Sequence, residues 1–162
     1  MTAAADIALL VLDVDGVLTD GRLWYGPGGE ELKAFHVRDG HGIVQLLAAG
    51  VRVAVISGRS SPAVSTRMRE LGVSEIIQGV TDKARALAEL LARAGLEPRR
   101  VACLGDDTPD LGLLAGVGLP AAVADAHPAV LAAAAHVTRA AGGQGAVREF
   151  CDFLLAARES GR

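Results

Sequence analysis

The feature that most restricts how this chain can fold is a set of short apolar runs at residues 7–12, 51–57, 75–77, 101–104 and 121–123. They are separated by longer stretches whose apolar residues recur at helical spacing. Strands of near-continuous apolar character are buried on both faces, and helices between them supply the cover. The alternation therefore predicts an α/β fold: a Rossmann-like, three-layer parallel sheet. The three clearest runs each stop at a polar or glycine-rich turn, at 13–16, 57–60 and 105–110. In open α/β sheets ligands bind beyond the carboxyl ends of the strands, so chemistry is expected to gather at these turns.

The intervening segments carry helix signals. Pro62 suits a first helical turn, where its missing N–H is no loss, and Gly72 follows that helix's end. Thr81 reads as the N-cap of a second helix, whose Ala84, Leu87, Leu90, Leu91 and Ala94 share one face. A last helix is expected over 145–158, and the alanine-rich 132–135 is good helix sequence. Between 19 and 38 the pattern changes, since the extended runs 21–25 and 31–37 flank the turn sequence Gly26-Pro27-Gly28-Gly29. A β-hairpin inserted after the first strand follows. Its apolar Leu23, Trp24, Tyr25, Leu32 and Phe35 are more than a lone ribbon could leave in water, so another subunit is expected to cover them.

A length of 162 residues fits one compact domain over 1–162, with the hairpin as its insertion. Sixteen basic residues against nineteen acidic ones give a net charge of -3 with no block of one sign, which argues against nucleic acid or anionic lipid as partner. No apolar run approaches the ~20 residues of a membrane span, and residues 1–6 lack the basic start of a secretory signal. A soluble, cytoplasmic protein is expected. Cys103 and Cys151 have no metal-type spacing and read as packing residues in a strand and a helix.

The turn after the first strand reads Asp13-Val14-Asp15-Gly16-Val17-Leu18-Thr19-Asp20. Two carboxylates leaving a buried strand are costly unless a cation lies between them; at ~4 Å and an effective dielectric near 20, like charges repel by about 4 kcal/mol. Carboxylate oxygens, a backbone carbonyl and waters suit magnesium, which completes its shell with substrate phosphate. The other turns supply matching parts. Ser57 with Gly58 offers a hydroxyl and open amides to phosphate oxygens, Lys83 a cation at a helix start, and Asp106, Asp107 and Asp110 further carboxylates.

The order Asp-x-Asp-Gly-Val-Leu-Thr-Asp, Ser-Gly-Arg, Thr-Asp-Lys and Gly-Asp-Asp-x-x-Asp resembles the four motifs of the haloacid dehalogenase superfamily of phosphatases, over essentially the whole chain. Segments 28–35, 37–40, 124–128 and 137–143 are similar to the sugar-acid phosphate phosphatases of its capless subclass. The resemblance implies an enzyme without a cap domain that hydrolyses a phosphorylated sugar acid with Mg2+ and works as a homotetramer. It makes Asp13 the nucleophile and Asp15 the acid and base. It gives the metal to Asp13, Asp106 and the Asp15 carbonyl, with Asp107 and Asp110 in support, and has Ser57 and Lys83 hold the phosphoryl group. It implies further that His36, Val37, Arg38, Asp39, Gly40, Arg59 and Arg67 meet the sugar acid. His36 stands where the family pattern has asparagine, and His41 where it has tyrosine.

Two other readings share these parts. A receiver-like signalling domain also gathers carboxylates, a hydroxyl and a lysine around magnesium. Its phosphoacceptor follows a later strand, however, and Ser57 occupies the end of the second run here. A catalytically idle oligomerisation module would have no need of intact Asp13, Asp15, Ser57, Lys83 and Asp106.

Overall fold

A computed structural model describes residues 4–161. The strands and helices in chain order are β1 (Leu9–Leu12), β2 (Trp24–Tyr25), β3 (Glu31–Leu32), α1 (Val37–Ala48), β4 (Arg52–Ile56), α2 (Pro62–Glu70) and β5 (Glu75–Ile77). They continue as α3 (Lys83–Ala94), β6 (Val101–Gly105), α4 (Leu111–Ala115), β7 (Leu119–Ala122), α5 (Pro128–Ala133), β8 (His136–Val137) and α6 (Ala146–Ser160). Six strands form one parallel sheet in the order β5-β4-β1-β6-β7-β8. All four side chains of β1 are buried, as are the five residues of β6 beside it. Apolar residues on both faces of these strands explain why each run is continuous rather than alternating. A buried Leu, Val or Ile side chain stabilises the fold by about 1.5–3 kcal/mol, so this inner pair anchors the sheet.

The chain leaves β1 toward β4 and β5 on one side, and later fills β6, β7 and β8 on the other. The reversal lies between β1 and β6, and a crevice opens there at the carboxyl ends. Asp13 and Asp106 are the residues that follow those two strands.

Three local expectations differ from the structure. The N-cap of α3 is Asp82, whose side chain accepts from the Arg85 amide at 3.0 Å, so Lys83 becomes the first helical residue. The alanine run does not sustain a helix to 135. Ala134 is extended, because the Ala135 amide donates to the Pro120 carbonyl at 2.8 Å and the chain enters β8, so tertiary pairing overrides alanine's propensity. The hairpin is real but short, pairing Trp24 with Leu32 and Tyr25 with Glu31. Leu23, Trp24, Tyr25 and Leu32 are exposed by 43–62 %, whereas Phe35 packs against the core. Burial alternates along the extended chain from β3 onward: Glu31, Lys33 and Phe35 are partly buried, while Leu32 and Ala34 are exposed.

Candidate active site

The buried β1 delivers Asp13 into the crevice with its amide bonded to the Leu104 carbonyl at 3.3 Å, and only 6 % of the residue is exposed. The chain then turns tightly, with the Val17, Leu18 and Thr19 amides all directed at the Val14 carbonyl at 2.9–3.2 Å. Gly16 adopts φ +91°, and a Cβ there would stand 2.0 Å from Asp106 Oδ2. Only glycine lets the backbone pass under that carboxylate. The loop is braced from behind by the second glycine cluster: a Cβ on Gly142 would lie 1.6 Å from the Gly16 carbonyl oxygen, and the Gly143 amide donates to the Val17 carbonyl at 2.9 Å. That cluster is expected from sequence only to feed α6. Its role as the back wall of the Asp13 turn comes from a contact across more than a hundred residues.

Lys83, at the first turn of α3, is 7 % exposed and donates to Asp13 Oδ1 at 2.8 Å and to Asp110 Oδ1 at 2.7 Å. Burial works against its charge, yet Asp13 and Asp110 outweigh that and hold it above the ordinary lysine value. Asp110 Oδ2 accepts from the Asp106 amide at 3.0 Å, and the Asp107 side chain from the Thr108 amide at 2.7 Å, so these two carboxylates lock the turn after β6. Asp13, Asp106 and Asp110 bring one oxygen each to within 4.8 Å of one another. Burial, then Asp110, pushes Asp13 up to about 6 despite Lys83, and burial with Asp13 and Asp110 pushes Asp106 up to about 8. Asp106 Oδ1 is buried without a hydrogen-bond partner among the described residues. One ammonium facing three carboxylates, with one oxygen orphaned, is a donor set that fits a hard divalent cation.

Ser57 directly follows β4, is 2 % exposed, and lines the same 250 Å³ cavity as Asp13, Asp15, Arg59, Lys83 and Asp106. Two residues that the sequence reading did not select contact residues of this cavity. Lys33, just past β3, has a side chain only 1 % exposed, and its Nζ lies 2.5 Å from Asp15 Oδ1 and 2.6 Å from Glu31 Oε1. Burial disfavours its charge, but Asp15 and Glu31 raise it above the usual lysine value. Glu31 also accepts from Arg59 at 2.7 Å, so the hairpin reaches the Asp13–Asp15 turn through alternating charges. The signal was available in the period-two spacing of Glu31, Lys33 and Phe35 along the extended run.

Asp13, Asp15, Ser57, Arg59, Lys83, Asp106, Asp107 and Asp110 thus converge on one cavity. The remaining sugar-binding candidates do not reach it. His36 caps α1, and with Arg38 it lines a larger cavity of 750 Å³ together with Arg139 and Arg148. Val37 is 77 % exposed. Asp39 is buried, and its Oδ1 accepts from the Arg148 amide at 2.9 Å in the first turn of α6. Gly40 and Arg67 are neighbours, since a Cβ on Gly40 would lie 2.4 Å from an Arg67 guanidinium nitrogen. These six residues form a patch around the start of α1, apart from the chain's own carboxylates. His41, in α1, is exposed and does not line the carboxylate cavity either.

The sequence profile of haloacid dehalogenase-like hydrolases matches residues 72–150. The 3-deoxy-D-manno-octulosonate 8-phosphate phosphatase of Escherichia coli strain K12 is 50% identical over 155 residues, covering 96% of this chain and 82% of that protein. The crystal structure of the Yersinia pestis enzyme of the same name superposes with a TM-score of 0.95 at 50% identity, over 97% of this chain and 85% of that one. The Moraxella catarrhalis enzyme, solved with a magnesium ion, a phosphate ion and the KDO molecule, gives a TM-score of 0.95 at 42% identity, over 98% and 91% of the two chains. At this identity, coverage and structural agreement, this chain belongs to the 3-deoxy-D-manno-octulosonate 8-phosphate phosphatase family of the haloacid dehalogenase-like hydrolases.

Proposed function

We propose that this protein is a magnesium-dependent phosphatase that hydrolyses 3-deoxy-D-manno-octulosonate 8-phosphate to the free sugar acid and phosphate. The observation that carries the reading is the Lys83 ammonium seated between Asp13 and Asp110 beside Asp106, at the mouth of which Asp15 and Ser57 also stand. A phosphate monoester dianion needs cations and donors for its oxygens, and a carboxylate free to attack; these residues supply both.

Asp13, Asp106 and the Asp15 backbone carbonyl would hold Mg2+, which supplies charge to offset the phosphoryl oxygens. Asp110 and Asp107 hold the turn that presents Asp106. In the first half-reaction an Asp13 oxygen attacks phosphorus, the bond between phosphorus and the sugar oxygen breaks, and that oxygen takes the proton of Asp15. The products are the sugar acid and an aspartyl-phosphate on Asp13. Water then attacks the same phosphorus and gives a proton to Asp15. Asp13 leaves as carboxylate, phosphate is released, and Asp15 ends the cycle protonated as it began. Ser57 and Lys83 keep hold of the phosphoryl oxygens throughout.

Arg59 on the rim suits the sugar-acid carboxylate, because a guanidinium fork binds a carboxylate in two-point fashion. The patch of His36, Val37, Arg38, Asp39, Gly40 and Arg67 acts on a neighbouring subunit's cavity in a homotetramer whose hairpins meet. The separation of that patch from its own carboxylates supports this reading. The chain works as one domain in the cytoplasm, in the synthesis of lipopolysaccharide sugars. Among the described residues, no helix is long and apolar enough to cross a membrane.

Phosphate release from the 8-phosphate by the full chain, with Mg2+ and with chelator, tests the function. Turnover that needs the metal and exceeds that on 2-keto-3-deoxynonulosonate 9-phosphate is expected. Equal or greater kcat/KM on the nonulosonate would overturn the substrate, and metal-independent turnover would overturn the chemistry.

A further inference from the structure

The hairpin does more than offer apolar surface. Its inward face carries Glu31 and Lys33, and the Lys33 side chain, 1 % exposed, crosses from the end of β3 to the catalytic turn. Its ammonium has two carboxylate partners, Asp15 Oδ1 at 2.5 Å and Glu31 Oε1 at 2.6 Å. Burying an ammonium is costly unless it is paired, and the hairpin that carries Lys33 is joined by only two residue pairs. Glu31 adds a second ion pair to the ammonium at 2.6 Å, while Arg59 holds Glu31 at 2.7 Å. The result is a chain of alternating charge, Arg59, Glu31, Lys33, Asp15, that runs from the rim of the cavity to the proton-transfer carboxylate.

Building on the phosphatase reading above, we infer that Lys33 is a positioning residue for proton transfer: it fixes one Asp15 oxygen so that the other faces the leaving oxygen of the substrate. Asp15 stands immediately before Gly16 in the turn with its side chain 21 % exposed, so without a tether its carboxylate is free to rotate toward solvent. Asp13 needs no such help, since Lys83 already holds it. General acid catalysis depends on the acid lying within hydrogen-bond reach of the departing atom, and misplacement by an ångström costs as much as removing it in part. Lys33 therefore matters in proportion to how badly the leaving group needs a proton. A sugar alkoxide needs one; p-nitrophenolate does not.

The test compares those two leaving groups in Lys33→Met and in the polar Lys33→Gln, which keeps the comparison decisive if the methionine variant fails to fold. Single-turnover release of the alcohol isolates phosphoryl transfer to Asp13 from hydrolysis of the aspartyl-phosphate. Both variants are expected to slow release from the sugar-acid 8-phosphate by about 10–100-fold, while p-nitrophenyl phosphate slows by less than about threefold and KM for the sugar phosphate moves by less than about threefold. In an Asp15→Asn background, Lys33→Met is expected to cause no further selective loss on the sugar phosphate, because the group it positions is gone. Equal loss on both esters, an unchanged ratio in Lys33→Gln, or a full multiplicative loss on top of Asp15→Asn would overturn the inference. Wild-type turnover of the sugar phosphate reads the proposed function itself, whereas the alkyl-to-aryl ratio reads Lys33 on any alkyl phosphate the wild type accepts, so the two fail separately.

Discussion

The Lys83 ammonium lies 2.8 Å from Asp13 Oδ1 in a part of the crevice where each residue is less than a tenth exposed. It also lies 2.7 Å from Asp110, so its removal strands two buried carboxylates at once. Breaking a buried pair by deleting one partner costs about 3–5 kcal/mol, because the survivor stays desolvated. Lys83→Met is therefore expected to lower stability by about that amount in urea denaturation and to lose activity. Asp13→Asn is expected to behave oppositely on stability. It removes one of three crowded carboxylates, so the fold should hold or gain while turnover falls by more than about 10³-fold. Near-wild-type turnover in Asp13→Asn would rule out Asp13 as nucleophile.

Metal and pH should be linked through the same cluster. Asp106 is raised from 3.8 to about 8 and Asp13 from 3.8 to about 6, in each case first by burial. Below about pH 4 both folded and unfolded chains carry these protons, and nothing is lost. As pH rises from about 4 to about 8 the unfolded chain ionises first, so the metal-free protein should lose stability across that window. A bound divalent cation favours the ionised carboxylates and cancels the loss. Thermal melts with and without Mg2+ are thus expected to diverge, with a larger Mg2+-induced rise in Tm at pH 8 than at pH 5. A rise that is the same at both pH values would show that these carboxylates do not take the metal.

Gly16 is the position where backbone and carboxylate compete most directly. Its φ of +91° disfavours any other residue, and a Cβ would meet Asp106 at 2.0 Å. Strain of this kind costs about 1–3 kcal/mol, and the clash adds displacement of Asp106. Gly16→Ala is expected to weaken Mg2+ binding in calorimetry by at least about tenfold, more than a stability loss of that size alone would explain. Unchanged Mg2+ affinity would mean Asp106 can move without consequence.

Much of this was legible in the sequence because burial and chemistry met at fixed places. Strands buried on both faces must be apolar throughout, so the polar residues that stop them, Asp13, Ser57 and Asp106, marked the crevice without reference to its shape. Lys83 was legible from its place at a helix start, although the cap proved to be Asp82. What escaped were long-range contacts with no local signature. The Asp39 carboxylate caps α6, whose Arg148 lies 109 residues away, and Gly142 presses on Gly16 from the far end of the chain. The two-residue β8 was invisible because its pairing, not its composition, defines it. Phe35 was misread as surface because apolar character was weighed before strand alternation.

The exposed hairpin remains the strongest physical reason to expect assembly. Trp24, Tyr25 and Leu32 are more than half exposed on a ribbon joined by only two residue pairs, and such a ribbon is marginal on its own in water. Phe35 belongs to the core, so a charge there would damage the fold and report nothing about association. Trp24→Glu and Leu32→Asp sit on the outward face and spare Lys33, whose side chain points the other way. Sedimentation is expected to find a tetramer for the wild type and smaller species for the double variant, with a far-ultraviolet spectrum unchanged. Because the patch around His36 and Arg67 lies away from its own carboxylates, the smaller species should show a KM raised by about tenfold or more for the sugar phosphate. Its turnover of p-nitrophenyl phosphate, which has no sugar to contact, should stay within about threefold of wild type. A monomer with wild-type KM for the sugar phosphate would show that one chain recognises its substrate unaided.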